Sequence, residues 1–359
     1  MGCAMYQYKA YPSGREIFQA AEALVRKHPC LEETGSKNGW EGWKDSLTNK
    51  MNNYRRKLCK SGCPEVKVNS GRRSRANPDA ASPHASIKRP RRAEVNYLPQ
   101  LPQGETLDTL EVLRVNMLME MEKKDKDSIN FSVIDTNMNK TFAARRLEIV
   151  NSSPSVEHVQ ERWPALFLEH QVRTEYQRIT NQQLRVELYA ALDQHTDRLL
   201  AIAREMQGKS GRCAQKISSI LKAYSQQTQD INVDRIAVLR CLPVLLQEDD
   251  SELFYTCKEG DPTIKRSAAI VSIIADSEDV NMVPYHPREV KVFLQDQVVL
   301  QGTECWPDAL LYLYGLLYVL QAEYPKGMTY TFEFIQKVLL NVGGDKLKPK
   351  TLSLKNKLQ

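Results

Sequence analysis

Long hydrophobic runs are absent from this 359-residue chain. The longest apolar run, from Ala309 to Leu320, has twelve residues, whereas a membrane-spanning helix needs about 20. We therefore expect a buried helix at this position and no membrane partner. The first residues also lack the order of charged, apolar and small residues that marks a secretory signal. We expect a protein that does not enter the secretory route.

Regular cysteine and histidine spacings are also missing. The eight cysteines are scattered along the chain, whereas secreted disulfide scaffolds are short and cysteine-dense, so we expect reduced thiols. Cys59 and Cys63 have the spacing of half a zinc site, but only His84 follows at a plausible interval and zinc needs four ligands. No metal site is predicted. Cys241 lies in an apolar run, which predicts a buried thiol with a raised pKa.

No catalytic constellation is recognisable. A nucleophilic serine or cysteine needs a base within hydrogen-bond reach, and no local pattern encodes one. The glycines at 208–211 and 343–344 do not match the loop that cradles nucleotide phosphates. We therefore expect no enzyme, no catalytic residue, no cofactor and no small-molecule substrate. The alternative, a cryptic enzyme, would need a deep polar pocket in the folded body.

What the chain does have is a concentrated positive charge. Thirteen Lys or Arg and only two acids lie between Lys50 and Arg92, a local excess of +11 against +6 for the whole chain. A positive strip attached to a mildly acidic body indicates polyanions or the nuclear import machinery as partners.

The N-terminal part reads as two helices joined by a turn, a helix-turn-helix-like module over residues 10–60. Ser13 and Glu16 have capping-box spacing, which predicts a helix from Gly14 to Lys27. A second helix is predicted from apolar residues that step by three or four: Trp40, Trp43, Leu47, Met51, Tyr54 and Leu58. Its other faces are basic, and we consider two interpretations, a solvated cationic face or nucleic-acid contact. The contact residues would be Lys44, Lys50, Arg55, Arg56, Lys57 and Lys60.

Residues 61–103 are rich in proline and small polar residues, which predicts a disordered basic linker. One basic cluster in this linker extends the candidate nucleic-acid contacts to Arg72, Arg73 and Arg75. A second cluster predicts a nuclear import signal, with non-specific phosphate binding or plain solubility as alternatives. Its residues are Lys88, Arg89, Arg91 and Arg92.

Residues 104–345 are expected to form an α-rich domain. A helix is predicted from Thr106 to Lys124, and its inward side chains would be Leu107, Leu110, Val112, Leu113, Met117 and Met121. The three methionines Met117, Met119 and Met121 could instead line an adaptable groove, but we favour core packing.

Short β-branched segments follow the helices of this domain. Three strands, at 269–274, 290–294 and 298–300, predict one small sheet with a β-hairpin at about 288–301. Residues 346–359 read as a basic C-terminal tail. The predicted fold class is mainly α: a small basic N-terminal helical module, a disordered linker, and a larger α-rich domain with a small antiparallel β-element near the C-terminus.

Several segments together resemble a known family. In the N-terminal module these are Tyr11-Pro12, His28-Pro29-Cys30-Leu31, Gly39-Trp40-Glu41-Gly42-Trp43 and Leu47-Thr48-Asn49-Lys50. In the body they include Thr141-Phe142, Arg145-Arg146, Trp163-Pro164-Ala165-Leu166-Phe167 and Tyr324-Pro325-Lys326. These segments resemble the vertebrate sterile alpha motif domain-containing protein 3-like group. The sterile alpha motif itself is not found, so its polymer-forming or RNA-binding behaviour is not implied, and the resemblance supplies no site residue.

The sequence therefore favours a non-enzymatic nuclear protein that contacts other proteins and an import receptor, and nucleic acid through its basic N-terminal module and linker. The alternative is a cytoplasmic scaffold or self-assembly protein in which the basic strip is only a spacer.

Overall fold

The computed structural model describes residues 12–33, 38–60 and 96–358, apart from residues 229, 259–265 and 344–345, together with Met5 and Lys9. The side chains of residues 56–60 and 126 also lie outside the description. The chain divides into two compact units, Met1–Leu98 and Pro99–Gln359. No helix in the described ranges is long and apolar enough to cross a membrane.

In its described residues, the N-terminal unit has the α-helices α1 (Gly14–Lys27) and α2 (Glu41–Lys60). The Ser13–Glu16 capping box starts α1, because each side chain satisfies a backbone N–H that the first turn leaves without a partner. Ile17, Ala21 and Leu47 are buried between the helices, and Trp40 and Trp43 pack against them. The apolar seam predicted for the second helix is therefore confirmed from Trp40 to Met51, and the side chain of Leu58 lies outside the description.

The connection between α1 and α2 is fixed by two hydrogen bonds. The indole Nε1 of Trp43 donates to the carbonyl of Leu31 at 2.7 Å, and the backbone N–H of Gly42 donates to a carboxylate oxygen of Glu33 at 2.8 Å. The second bond places an acceptor at the start of α2, where backbone N–H groups have no helical partner.

The second unit is mostly helical, and the predicted fold class is confirmed. The helices described in it are α3 (Leu107–Met121), α4 (Phe131–Lys140), α5 (Phe142–Ser152), α6 (Val156–Arg162), α7 (Glu169–Thr180), α8 (Leu184–Gln207), α9 (Arg212–Ser225), α10 (Ile231–Leu245), α11 (Trp306–Val319), α12 (Thr329–Phe334) and α13 (Pro349–Asn356). The segment Ile335–Leu339 continues α12 as a π-helix.

The sheet has four strands in the described residues, in the order β1 (Phe254–Cys257), β2 (Ala268–Ile273), β3 (Glu289–Leu294) and β4 (Gln297–Thr303). β1 is parallel to β2, whereas the other pairs are antiparallel. Gln295 and Asp296 turn β3 into β4 with φ of 50° and 65°, the positive values of a tight hairpin turn. The sequence predicted the last three strands as one antiparallel element; β1 adds a fourth strand in parallel pairing.

The centre of the second unit is α11. Every residue of α11 except Asp308 is buried, as expected for a helix that is apolar on all sides. At Gly315 a Cβ would lie 2.8 Å from the side chain of Leu184 and 3.1 Å from that of Val172. The missing side chain therefore lets α7 and α8 approach α11 closely.

Buried charges tie the helices around α11 together. Arg145 of α5 donates two hydrogen bonds to Glu175 of α7, at 2.8 and 2.7 Å, and Arg178 donates a third at 2.8 Å. Arg145 and Glu175 are fully buried, and buried charges are tolerated when they are paired and hydrogen-bonded. Cys241 of α10 is also buried, and burial raises the pKa of its thiol to about 12, as predicted.

The segment predicted as a basic tail contains α13, which packs on the domain. The carboxylate of Glu333 accepts hydrogen bonds from the hydroxyl of Thr351 at 2.7 Å and from the backbone N–H of Lys348 at 3.2 Å. Thr351 and Leu354 are buried in this contact. The lysines of this segment are therefore carried on a folded element.

Candidate protein-interaction surface

The helix α3 begins with a local capping arrangement. The hydroxyl of Thr106 accepts from the backbone N–H of Thr109, and the hydroxyl of Thr109 accepts from the backbone N–H of Thr106. Apolar residues then occupy nine of the fifteen positions of the helix. Because they lie on all sides of it, α3 has the composition of a buried helix.

Only one side of α3 is buried. Leu110 and Met117 are 1% and 3% exposed and lie seven residues apart on the same face. Val112 and Met119 are 60% and 61% exposed, and Val115 between them is half-buried. The spacing of three and four residues places Val112, Val115 and Met119 in one line along the outer side of α3. We call this line the apolar stripe.

Two carboxylates bracket the apolar stripe. Asp108 lies one helical turn before Val112, and Glu122 lies three residues after Met119. Both residues are exposed, and neither makes an ion pair with another described residue. Each end of the stripe therefore carries an exposed carboxylate that is not held in an ion pair with another described residue, and the exposed Lys124 lies two residues after Glu122.

The other acids of α3 are already paired. Hydrogen bonds from Arg114 and Arg162 lower the pKa of Glu111 despite the opposing effect of burial. The hydrogen bond from Lys123 likewise lowers the pKa of Glu120. These carboxylates are compensated within the unit, which distinguishes them from Asp108 and Glu122.

A shallow cleft with no room for a water molecule lies on the inner side of α3, away from the stripe. Leu118 forms part of its wall. The other lining residues are Arg114, Met117, Arg162, Trp163, Pro164 and Ala165. The cleft therefore belongs to the packed side of α3, and the stripe lies on the opposite side of the helix.

The floor of the cleft is held in place by Trp163. This side chain is 3% exposed, and its Nε1 donates to Glu148 at 3.2 Å. The guanidinium carbons of Arg145 and Arg162 lie 5.1 and 5.9 Å from the centre of its ring, within the range of cation–π attraction. These contacts fix the position of Trp163 next to α3.

The sequence predicted two side chains of α3 wrongly. It predicted Leu107 and Val112 as inward, but they are 51% and 60% exposed. Core packing was also favoured for all three methionines, which holds for Met117 and fails for Met119. The signal was present in the sequence, because apolar residues surround α3 and a helix on the rim of a domain can bury only one of its sides.

The predicted nucleic-acid residues that the structure describes lie on α2. Lys44 pairs with Glu41 at 4.0 Å, Lys50 is exposed, and Arg55 donates to the side chain of Asn52. Lys44 and Lys50 are six residues apart, so they lie on different sides of the helix. Arg55 lies on the Lys44 side.

The other predicted contacts cannot be placed. The backbone of α2 includes Arg56, Lys57 and Lys60, but their side chains lie outside the description. The linker residues Arg72, Arg73 and Arg75 and the import residues Lys88, Arg89, Arg91 and Arg92 also lie outside the described residues. Cys63 and His84 are outside them as well. Among the residues that are described, no three His, Cys, Asp or Glu side chains come together as a metal site.

Comparison with known proteins gives one match. Residues 110–168 match the family model for the helical domain of sterile alpha motif domain-containing protein 3. No curated protein and no solved structure matches the chain. The match contains the apolar stripe, every residue that lines the cleft, and helices α4 to α6, and a helical domain of this kind suggests a protein-interaction role. The match supports a sterile alpha motif domain-containing protein 3-like assignment for this helical segment, in agreement with the resemblance in its sequence.

Proposed function

We propose that the protein acts by binding other proteins, without catalysis, through the apolar stripe of its helical domain. The observation that carries this proposal is the exposure of Val112 and Met119. Isolated exposed apolar residues are ordinary on protein surfaces, but an exposed line of them along one helix is typical of an interaction site. A helix face with apolar residues at such spacing is a common element of peptide and helix recognition.

Proximity labelling of the full chain in cells tests this role. The double variant Val112→Ser, Met119→Ser should lose the partners that the wild-type chain labels, because their apolar contact is removed. Val186→Ser is the matched control, since Val186 is also 61% exposed but lies on α8. It should keep the wild-type set of partners. Identical sets for all three proteins would contradict the proposal.

We also propose that the protein works in the nucleus and that its basic N-terminal part contacts nucleic acid. The support is the +11 excess between Lys50 and Arg92 and the helical backbone that carries the first five of those cations on α2. Phosphate contacts by Lys or Arg release counterions, so binding to a fluorescent oligonucleotide should weaken steeply as salt rises. A salt-insensitive affinity, or no binding, would contradict the nucleic-acid role.

The import signal has its own test. Replacing Lys88, Arg89, Arg91 and Arg92 by Ala in a fluorescent fusion should move the signal to the cytoplasm, because an import receptor reads these cations in extended chain. The matched control replaces Arg72, Arg73 and Arg75, which should leave the distribution nuclear. An unchanged nuclear signal in the first variant would favour the alternative of a cytoplasmic scaffold.

A further inference from the structure

We propose that the partner seated on the apolar stripe is a basic amphipathic helix of another protein. This inference rests on the protein-interaction role above and names the chemistry of the occupant. Val112, Val115 and Met119 offer three apolar contacts at helical spacing, which suits a helix with apolar residues at the same intervals. An extended strand would instead need a free sheet edge, which α3 does not provide.

The charges at the ends of the stripe determine whether the partner must be basic or acidic. Asp108 and Glu122 are 14 residues apart, about 21 Å along a helix. Both are exposed and lack an ion pair within the part of the chain that the structure describes. A docked helix with Lys or Arg one turn beyond each end of its own apolar line would place a cation near each carboxylate. A helix with acids at those positions would meet like charges, which disfavours it.

The charged residues on the cleft side of α3 impose no charge preference on the partner. Arg114 and Arg162 are both bonded to Glu111, and Arg162 also to Glu148, so these four charges compensate each other. The charge preference of the stripe therefore comes from Asp108 and Glu122. The expected partner pattern is three apolar residues at spacings of three and four, bracketed by cations.

Two synthetic helical peptides and the full chain test the inference. Both peptides carry leucines at the three apolar positions; one has lysines at the bracketing positions and the other has glutamates. In a fluorescence-anisotropy titration the lysine peptide should bind about tenfold more tightly, since two exposed ion pairs each contribute up to about a factor of five. In the double variant Asp108→Lys, Glu122→Lys the preference should reverse.

The matched control is Glu187→Lys, Asp197→Lys. Both of these acids are exposed on α8, and the change in net charge is the same. This control should keep the preference of the wild-type chain for the lysine peptide. If both double variants lose the preference equally, the preference arises only from the net charge of the protein, and the inference is overturned.

Other outcomes separate this inference from the proposed function. If neither peptide binds, or both bind equally, while Val112→Ser, Met119→Ser still loses its cellular partners, the basic helix is wrong and the interaction role stands. If that stripe variant keeps every partner, the interaction role fails and the inference fails with it. If sedimentation is instead concentration-dependent because the wild-type chain dimerises, and the stripe variant does not dimerise, the occupant is a second copy of this chain and the basic helix is wrong.

Discussion

The helices α3 and α11 have the same kind of sequence and opposite surroundings. Both carry apolar residues on every side, but α11 is covered all round except at Asp308, while α3 is covered only along Leu110 and Met117. Burial of apolar surface is the main favourable term in folding. An apolar helix in the middle of a domain obtains that stabilisation within its own chain. On the rim of the domain, the outer face of α3 obtains it only from a partner.

Truncation inside α11 should have the largest effect. Leu316 is fully buried, and Leu316→Ala should lower the free energy of unfolding by about 2–5 kcal/mol, because it removes buried surface and leaves a cavity. Chemical denaturation followed by circular dichroism measures the loss. Leu352→Ala on α13 is the control, since Leu352 is 45% exposed, and it should cost clearly less. Equal losses would mean that α11 is not the core of the unit.

Adding a single methyl group to α11 tests how tightly that helix is covered. Gly315→Ala places a Cβ within 2.8 Å of Leu184 and 3.1 Å of Val172. Overpacking of this kind costs about 1–3 kcal/mol, and we expect a lowered melting temperature. Gly208→Ala is the control, because the nearest atom to its Cβ lies at 3.7 Å. Unchanged stability of Gly315→Ala would show that α7 and α8 yield at this contact.

The aspartates in the first turns of α11 and α3 also have different surroundings. Asp308 accepts hydrogen bonds from Arg185 at 2.9 Å and from Tyr189 at 2.7 Å, whereas Asp108 of α3 is exposed. Burial alone would raise the pKa of Asp308, but the bonds from Arg185 and Tyr189 outweigh it and hold the pKa below its ordinary value. A lowered pKa stabilises the folded state above the pKa of the unfolded carboxyl, and this stabilisation is lost as pH falls through the folded pKa.

Asp308→Asn should therefore lower the free energy of unfolding at neutral pH by about 1–2 kcal/mol. The difference from wild type should shrink as the pH falls below about 4, where the unfolded carboxyl takes up its proton. Urea denaturation at a series of pH values measures both effects. A difference that stays constant down to pH 2 would show that the charge of Asp308 is not involved.

These contrasts also mark what local sequence could and could not predict. The capping box at Ser13 and the seam from Trp40 to Met51 were found because both are encoded within a few residues. The helix α4 was missed, because Ser, Asp, Thr and Asn fill five of its ten positions and favour turns as readily as helices. The parallel strand β1 was missed because its pairing with β2 is not encoded by any turn between them.

The candidate surface was hidden for a different reason. A pattern shows that α3 is apolar on both sides, but it does not show which side the rest of the chain covers. Which side is covered depends on α4, which was not predicted, and on Trp163, which lies far along the chain from α3. The buried pair of Arg145 and Glu175 was equally inaccessible, since thirty residues separate its members.

The smallest expected effect is on the stability of α3 itself. Because Val112 and Met119 are about three-fifths exposed, Val112→Ser, Met119→Ser should change the free energy of unfolding of the isolated protein by only about 0.5 kcal/mol per site. Met117→Ser, on the buried side of the same helix, should cost several times more, since it places a hydroxyl in the core. Chemical denaturation of the three proteins compares them directly. If the stripe variant is as destabilised as Met117→Ser, the outer face of α3 is already covered in solution, and the contrast with α11 disappears.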